Sequence, residues 1–306
     1  MWKEFEEGIH LDRIEMKPYV GFIFICGGPS DVREEHPISV RDALQRSLAK
    51  DKALIERTRI AEDYKDWSKD GIYTDLLDFE SHIAQLSSVI VLILESAGSI
   101  AELGLFSAID GFKEKLLVVV DTTHYDEPSF IRLGPIDYLE KTYQNMAECH
   151  RWLDGGRRID QDALSDIQSD LVAAIRDRLK ASVPTRPFNV ASWPDVALLI
   201  CEVVSIFLAL TFKEIQAYLR RLGVEVSDSK LHQFLYILEK LEFLFKEPKG
   251  TQRFYISRDE RSFVSFEARS QQFDLMRFRL DVMEHYEKKE KKRFRAIQEV
   301  RRRHVR

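Results

Sequence analysis

The sequence predicts an α/β fold: a doubly wound parallel sheet, followed by a smaller C-terminal domain and a basic helical tail. Three observations carry the prediction. Ser88-Val89-Ile90-Val91-Leu92-Ile93-Leu94 is an uninterrupted aliphatic run, the pattern of a strand buried on both faces of a parallel sheet. Residues 20 to about 140 alternate strand and helix signals. Beyond Val196 the signals change to helix, turn, helix and hairpin.

Taken in order, Val20 to Cys26 reads as a first strand closing on Gly27-Gly28-Pro29, and Ile38 to Leu48 as an amphipathic helix. Arg57 to Ala61 is a short second strand ending in Glu62-Asp63. Leu76 to Leu86 is a helix with Glu80 near its start, and it leads into the Ser88 strand, which ends at Glu95. Gly98 suits a tight turn and Ser99 is a good helix N-cap, so a helix from Ile100 to Phe112 is expected with Glu102 in its first turn. Lys115 to Asp121 supplies another strand. Right-handed crossovers point the carboxyl ends of parallel strands the same way. Cys26-Gly27-Gly28, Glu62-Asp63, Glu95 to Ser99 and Asp121 should therefore share one rim, the expected site.

From Cys149 to Thr185 the chain turns polar and helical, with Leu164 to Leu179 amphipathic, and Pro184, Pro187 and Pro194 punctuate a linker. Thr211-Phe212-Lys213-Glu214 is a capping box opening a helix to Leu222, and Ser227 or Asp228 caps a second helix to about Leu241. Phe243 to Lys246 and Arg253 to Ile256 flank Pro248-Lys249-Gly250-Thr251 as a hairpin. The pattern is that of a winged helix-turn-helix. The expected domains are 1–145 (catalytic), 146–195 (helical linker), 196–265 (winged helix-turn-helix) and 266–306 (basic helical tail).

At 306 residues, with 44% hydrophobic and 32% charged residues, the chain is expected to be a soluble globular protein of two domains. Cys26, Cys149 and Cys201 are far apart and show no metal-ligand spacing, so a reducing cytoplasm is the expected setting and no metal site is suggested. Met1 to Lys17 is mixed in character, unlike a cleavable signal. The apolar run Val196 to Leu210 contains Glu202 and falls short of the ~20 residues that span a bilayer, so a buried helix is expected and no membrane partner. Tyr286 to Arg306 holds ten Lys or Arg against three Glu, a net +7, which leaves −12 on the rest of a chain whose total is −5. Such a tail suits an anionic partner.

Cleaving an N-glycosidic bond develops positive charge at the sugar carbon, which an ionised carboxylate can stabilise or trap. Glu102 is the candidate, kept ionised by the helix dipole, although a first-turn acid can equally do no more than stabilise its helix. Glu95 and Glu80 are candidates for holding sugar hydroxyls or handling protons. No acid for the leaving group is evident, since His36 and His124 read as surface histidines. Nicotinamide on ribose is already cationic and needs no acid to leave, so the site is compatible with nicotinamide release. There is no P-loop and no G-x-G-x-x-G. Gly27-Gly28 can let the backbone approach a phosphate, with Arg41 as charge partner.

Glu80, the apolar strand, Glu95 and Ser99-Ile100-Ala101-Glu102-Leu103-Gly104 together resemble the nucleoside 2-deoxyribosyltransferases. Cys26-Gly27-Gly28, Glu95 to Ser99, Glu102-Leu103-Gly104 and Ser129-Phe130-Ile131 with Gly134-Pro135 resemble, more closely, the effectors of retron anti-phage systems, which join such a domain to a C-terminal winged helix. The resemblance implies that Glu102 is a nucleophile supported by Glu95 and Glu80. Cys26, Gly27, Gly28, Arg41, Glu62, Gly98 and Ser99, on or beside the expected rim, are the candidates for binding substrate. It implies a toxin that cleaves NAD as substrate, needs no cofactor, and is held in a higher-order assembly with the retron reverse transcriptase and its multicopy DNA and RNA. The transferases carry Asp at the positions equated with Glu80 and Glu95. Alternatives are attack on other nucleosides or nucleotides, and a non-catalytic DNA-binding regulator. Leu231, Phe234, Leu235, Ile237 and Leu238 make the second helix of the smaller domain mostly core. Phosphate contacts are therefore expected from the wing and tail, through Lys246, Lys249, Arg253, Lys288, Lys289, Lys291, Lys292 and Arg293.

Overall fold

The computed structural model describes residues 1–64, 68, 71–154, 158–180, 184–257 and 261–304. Contacts divide the chain into two units: Met1–Tyr19, Ser68–Thr74 and Val183–Arg306 form one, and Val20–Trp67 and Asp75–Ser182 the other. The chain opens in the first with helix α1 (Trp2–Gly8) and strand β1 (Ile9–Met16).

The second unit then begins with β2 (Phe22–Cys26), followed by α2 (Val40–Leu48), α3 (Lys52–Ile55), β3 (Thr58–Arg59) and a 3₁₀ turn over Ala61–Tyr64. After α4 (Leu76–Gln85) come β4 (Ser87–Ile93), α5 (Ala97–Ala108), β5 (Leu116–Asp121) and α6 (Thr122–Asp126). A turn of π-helix over Arg132–Ile136 leads into α7 (Asp137–Tyr143), and β6 (Glu148–His150), the small β7–β8 pair (Leu153–Asp154, Arg158–Ile159) and α8 (Gln161–Lys180) complete the unit. Five strands pair in parallel in the order β3-β2-β4-β5-β6. The order reverses direction between β2 and β4, and the crevice at such a switch point is where open α/β sheets bind ligands.

Side chains alternate across a strand, so Ile23 and Ile25 face one side of β2 while Phe24 and Cys26 face the other. On the first side Ile23, Ile25, Val89, Val91, Ile93, Leu117 and Val119 form one core with Val40 and Leu44 of α2 and with Leu164, Ile167, Leu171 and Ile175 of α8. Helices α4 and α5 pack on the sheet as well, contacting β4, and α5 also β5.

The strands and helices expected from the aliphatic runs are present, with three differences. Helix α5 starts at Ala97, three residues before the expected start, because Ser96 caps it: Ser96 Oγ accepts from Ser99 N at 3.1 Å and Ser99 Oγ accepts from Ser96 N at 3.2 Å. Strand β6 is three residues long and polar, with no apolar run to announce it. The 161–180 helix, expected in a linker, is core, since its apolar stripe is buried against α2 and the sheet.

The first unit resumes with β9 (Arg186–Pro187), α9 (Trp193–Phe207), α10 (Phe212–Arg221) and α11 (Asp228–Lys240). The hairpin β10–β11 (Leu244–Lys249, Gln252–Ser257) follows, then β12 (Val264–Ala268), α12 (Leu275–Lys289) and α13 (Lys291–His304). The Thr211–Glu214 capping box opens α10 and Ser227 caps α11. The apolar 196–207 stretch of α9 is buried throughout, and its Glu202 accepts backbone N–H groups of Phe263 at 2.7 Å and Val264 at 3.3 Å. Strand β1 lies antiparallel between β12 and β9, joining the two ends of the chain in one sheet. No helix among the described residues is long and apolar enough to cross a membrane.

The C-terminal helices pack against this unit. Ala296, Ile297 and Val300 of α13 are buried, and α13 packs on β10 and β11. Arg293 is the pin: it is 6% exposed, donates to Glu214 Oε1 at 2.8 Å and Oε2 at 3.1 Å and to the Ala209 carbonyl at 2.7 Å, and lies over the Phe254 and Tyr286 rings.

Candidate active site

Five of the expected site residues converge around β2 and β4. Cys26 ends β2, Arg41 lies in the first turn of α2, Glu62 follows β3, Glu80 is in α4, and Glu102 is in α5. Burial pushes the Glu80 carboxyl up to about 7, and the nearby Glu102 and Glu62 charges add to the effect. Burial likewise raises Glu102, and Glu62 adds to it, against the Cys26 hydrogen bond and the Arg41 charge, which lower it. Arg41 is buried and donates to Glu62 Oε1 at 2.7 Å. One guanidinium thus stands among three carboxylates, and burial disfavours the ionised form of two of them, Glu80 and Glu102.

The Cys26 thiol is driven well above its usual range by burial first and then by Glu102 and Glu80. It stays protonated and acts as a hydrogen-bond partner of Glu102. The other Glu102 oxygen, Oε2, is buried without a hydrogen-bond partner, as is Arg41 Nε. A buried polar atom left unpaired costs about 1–3 kcal/mol, a cost that a ligand donor removes. Since α5 starts at Ala97, Glu102 is its sixth residue and lies in the second turn, beyond the reach of the helix-end charge. The expectation that the dipole keeps Glu102 ionised is therefore corrected: burial governs this carboxyl, and in the opposite direction.

Glu95 has a different place from the one expected. Its carboxylate accepts from Gly28 N at 2.9 Å, Val40 N at 2.9 Å and Arg41 N at 3.0 Å, so it fills the anion site made by the glycine loop and the start of α2. A Cβ on Gly28 would lie 2.8 Å from the Glu95 Cδ, and one on Gly27 would lie 3.2 Å from its Oε1. The two glycines make room for this internal anion, which leaves no space there for a phosphate. Ser99 is also occupied: its hydroxyl closes the capping box and it is buried. Gly98 is exposed in the first turn, with only Ser96 Oγ near the position of a Cβ.

A cavity of about 370 Å³ opens at the carboxyl ends of β4 and β5, among Ser96, Ala97, Ile100, His124, Ile131 and Trp152. None of Cys26, Arg41, Glu62, Glu80 and Glu102 lines it. Among the described residues no group of three His, Cys, Asp or Glu is placed to hold a metal ion.

The expected nucleic-acid cations divide into paired and open groups. Arg293 is buried in its ion pair with Glu214 and is corrected to a structural residue. Lys249 is paired with Glu247 and Glu299, Lys288 with Glu284, and Lys246 with Glu239 at 3.8 Å. Arg253, Lys289, Lys291 and Lys292 are exposed, and so are Arg295, Arg301 and Arg302 on α13.

A parallel sheet with a cluster of carboxylates at its switch point, from buried Glu80 through half-buried Glu102 to exposed Glu62, joined to a helical unit with an exposed basic face, defines a two-unit α/β protein with an acid-lined site. Residues 37–246 match the family described as STM3845 retron effector protein, and the chain belongs to that family. It is 31% identical over 140 residues to the Escherichia coli "Retron Ec73 putative ribosyltransferase/DNA-binding protein", covering 41% of this chain and 44% of that one. It is 35% identical over 121 residues to the Escherichia coli "Retron Ec86 putative ribosyltransferase/DNA-binding protein", covering 39% and 37%. The matches span less than half the length of these relatives.

Proposed function

We propose that the second unit is a nucleoside deoxyribosyltransferase-like N-glycosidase and that this retron effector acts as a toxin by breaking the glycosidic bond of a nucleotide, with NAD the leading substrate. The observation that carries the reading is the buried, unpartnered Glu102 Oε2 beside Glu80 at the switch point of the sheet. The names of the two relatives support glycosyl transfer.

In this reading the ionised Glu102 attacks C1′ of the ribose as the C1′–N bond breaks. The bonding pair leaves with the base, and nicotinamide departs neutral without a proton. Water then attacks C1′ of the glycosyl-enzyme ester, Glu80 accepts its proton, and Glu102 is released as a carboxylate. Cys26 hydrogen-bonds Glu102 and keeps that carboxyl in place.

A second reading is favoured by Glu80 itself. A carboxyl near 7 is available as an acid, which the sequence did not reveal, and it can protonate a purine leaving group. Other nucleosides and nucleotides then become substrates. In both readings a winged helix-turn-helix in the first unit and the open cations of α13 and the hairpin contact the phosphates of the retron's DNA and RNA, and the effector assembles with the reverse transcriptase that carries them.

Incubating the full chain with NAD, alone and with reverse transcriptase and multicopy DNA, tests the proposal. Nicotinamide release is expected in wild type and is expected to fall about 10³-fold or more in Glu102→Gln, as for loss of a nucleophile. Equal release from the variant would remove Glu102 from the chemistry.

A further inference from the structure

The second unit is interrupted once by a segment that belongs to the first: Ser68–Thr74 is part of the first unit, whereas Val20–Trp67 before it and Asp75–Ser182 after it are not. The interruption falls between two members of the carboxylate cluster, Glu62 and Glu80.

Within the first unit the segment is anchored by a ring. Tyr73 is 2% exposed and its ring lies 6.0 Å from that of Tyr236 on α11. A buried Tyr covers a large apolar area and holds the chain that carries it. Gly71 takes φ +64°, which favours glycine, and with Ile72 it forms one wall of a groove of about 610 Å³, whose other walls include Ser229, His232 and Tyr236 of α11 and Tyr255 of the hairpin. The open positions of α11 end at His232, and every residue from Gln233 to Lys240 is buried or half-buried. The second half of α11 is thus a seat for the protein's own chain.

Asp75, the N-cap of α4, stands two residues after that anchor and accepts from Asp78 N at 2.8 Å. The first turn of α4 has little apolar packing of its own, because Leu76 and Leu77 are 42% and 58% exposed. Its buried side chains begin with Phe79, which meets the Tyr64 ring at 5.9 Å in an edge contact, and with Glu80. The chain entering from Tyr73 therefore sets the direction of that first turn. Glu102, Glu62 and the Cys26 thiol are the titratable groups that face Glu80, and Arg41 pairs with Glu62.

We infer that Tyr73 is a positioning residue for Glu80: seated on α11, it fixes the start of α4 and so keeps Glu80 turned in beside Glu102 and Glu62. The inference rests on the N-glycosidase reading and names the regulation of that site. A helix moves as a rigid element, so a shift at Asp75 reaches Glu80 five residues on, about 7 Å along the axis. A misplacement of about 1 Å at a reacting group can cost about 10²-fold in rate. The base of the hydrolytic step is in place only while α11 keeps its Tyr73 seat, and activity is thereby tied to the state of the helical unit.

The Glu80 carboxyl itself reports the coupling without turnover. NMR of isotope-labelled glutamate carboxyls in the full chain, with the Glu80 signal assigned by its loss in Glu80→Gln, is expected to give a titration midpoint of about 7 in wild type. In Tyr73→Ala the midpoint should fall by at least about one pH unit, toward that of a solvated carboxyl. It should fall similarly when two glycines are inserted between Thr74 and Asp75, a change that leaves the Tyr73 seat and the Asp75 cap in place and slackens only the link. The kcat for NAD should drop about tenfold or more in both variants, with KM within about twofold, since Tyr73 touches no substrate. A midpoint unchanged in the insertion variant would overturn the inference whatever Tyr73→Ala does, and the insertion alone decides if Tyr73→Ala does not fold. Failure of the N-glycosidase reading looks different: cleavage indifferent to Glu102→Gln, with the Glu80 midpoint still moved by the insertion.

Discussion

Glu80 is the residue with the most consequences. Its folded value of about 7 stands above the ordinary 4.5, so the fold prefers the protonated acid. Below pH 4.5 the group is neutral whether folded or unfolded and costs nothing. Between about 4.5 and 7 the unfolded chain ionises it first, and stability is lost as the pH rises through that window. Glu80→Gln should therefore stabilise the second unit at pH 8 by as much as about 3 kcal/mol and change little at pH 4.5, as read by chemical denaturation. The same carboxyl separates the two substrate readings. With a cationic leaving group Glu80 serves only as the base of the hydrolytic step, so kcat should rise through pH 7 and hold. With a purine it must first donate a proton, so activity should fall above pH 7. Initial-rate profiles for NAD and for a purine nucleoside, measured side by side, distinguish the two. Cys26 and Glu62 were legible as parts of one rim from strand ends, because parallel connectivity fixes where those ends lie, whereas Arg41, Glu80 and Glu102 stand on helices that strand ends do not place. The part played by Glu95 was not legible. Its three partners are backbone N–H groups from two other segments, and no side-chain pattern encodes them.

The elements whose sequences carry a strong period appeared where expected: β4 from its aliphatic run, α10 from its capping box, α9 from its apolar length. Those set by a single local bond or by tertiary pairing did not. Ser96 rather than Ser99 caps α5, and both serines belong to one capping box, so the sequence allows either start. The amphipathic stripe of α8 was visible, but a stripe does not say which core it covers. Helix α13 illustrates the same gap: its cations suggest a free arm, whereas Arg293 anchors it to Glu214. Arg293→Ala should leave Glu214 without its cation and cost about 2–4 kcal/mol. Limited proteolysis should then release α13 first. Arg293→Lys should rescue only part of the loss, because an ammonium cannot bridge both carboxylate oxygens in the fixed geometry of a guanidinium.

At the scale of the whole chain, β1 is a long-range element that no local signal marks, since its sequence is mixed and its partner strand is β12, some 250 residues away. Deleting residues 1–19 should expose the edge of β12 and lower the melting temperature of the C-terminal unit, although every residue of α9–α13 is retained. Differential scanning calorimetry of the shortened chain checks this, and an unchanged transition would show β1 to be dispensable. The path of the polypeptide has a further bearing on ancestry. Because the backbone passes from one unit to the other at residues 19, 67, 74 and 182, no single recombination breakpoint can swap either unit as an intact cassette. The shared family segment, 37–246, likewise begins and ends inside a unit and takes part of both. A chimera that exchanges either unit whole therefore needs more than one junction.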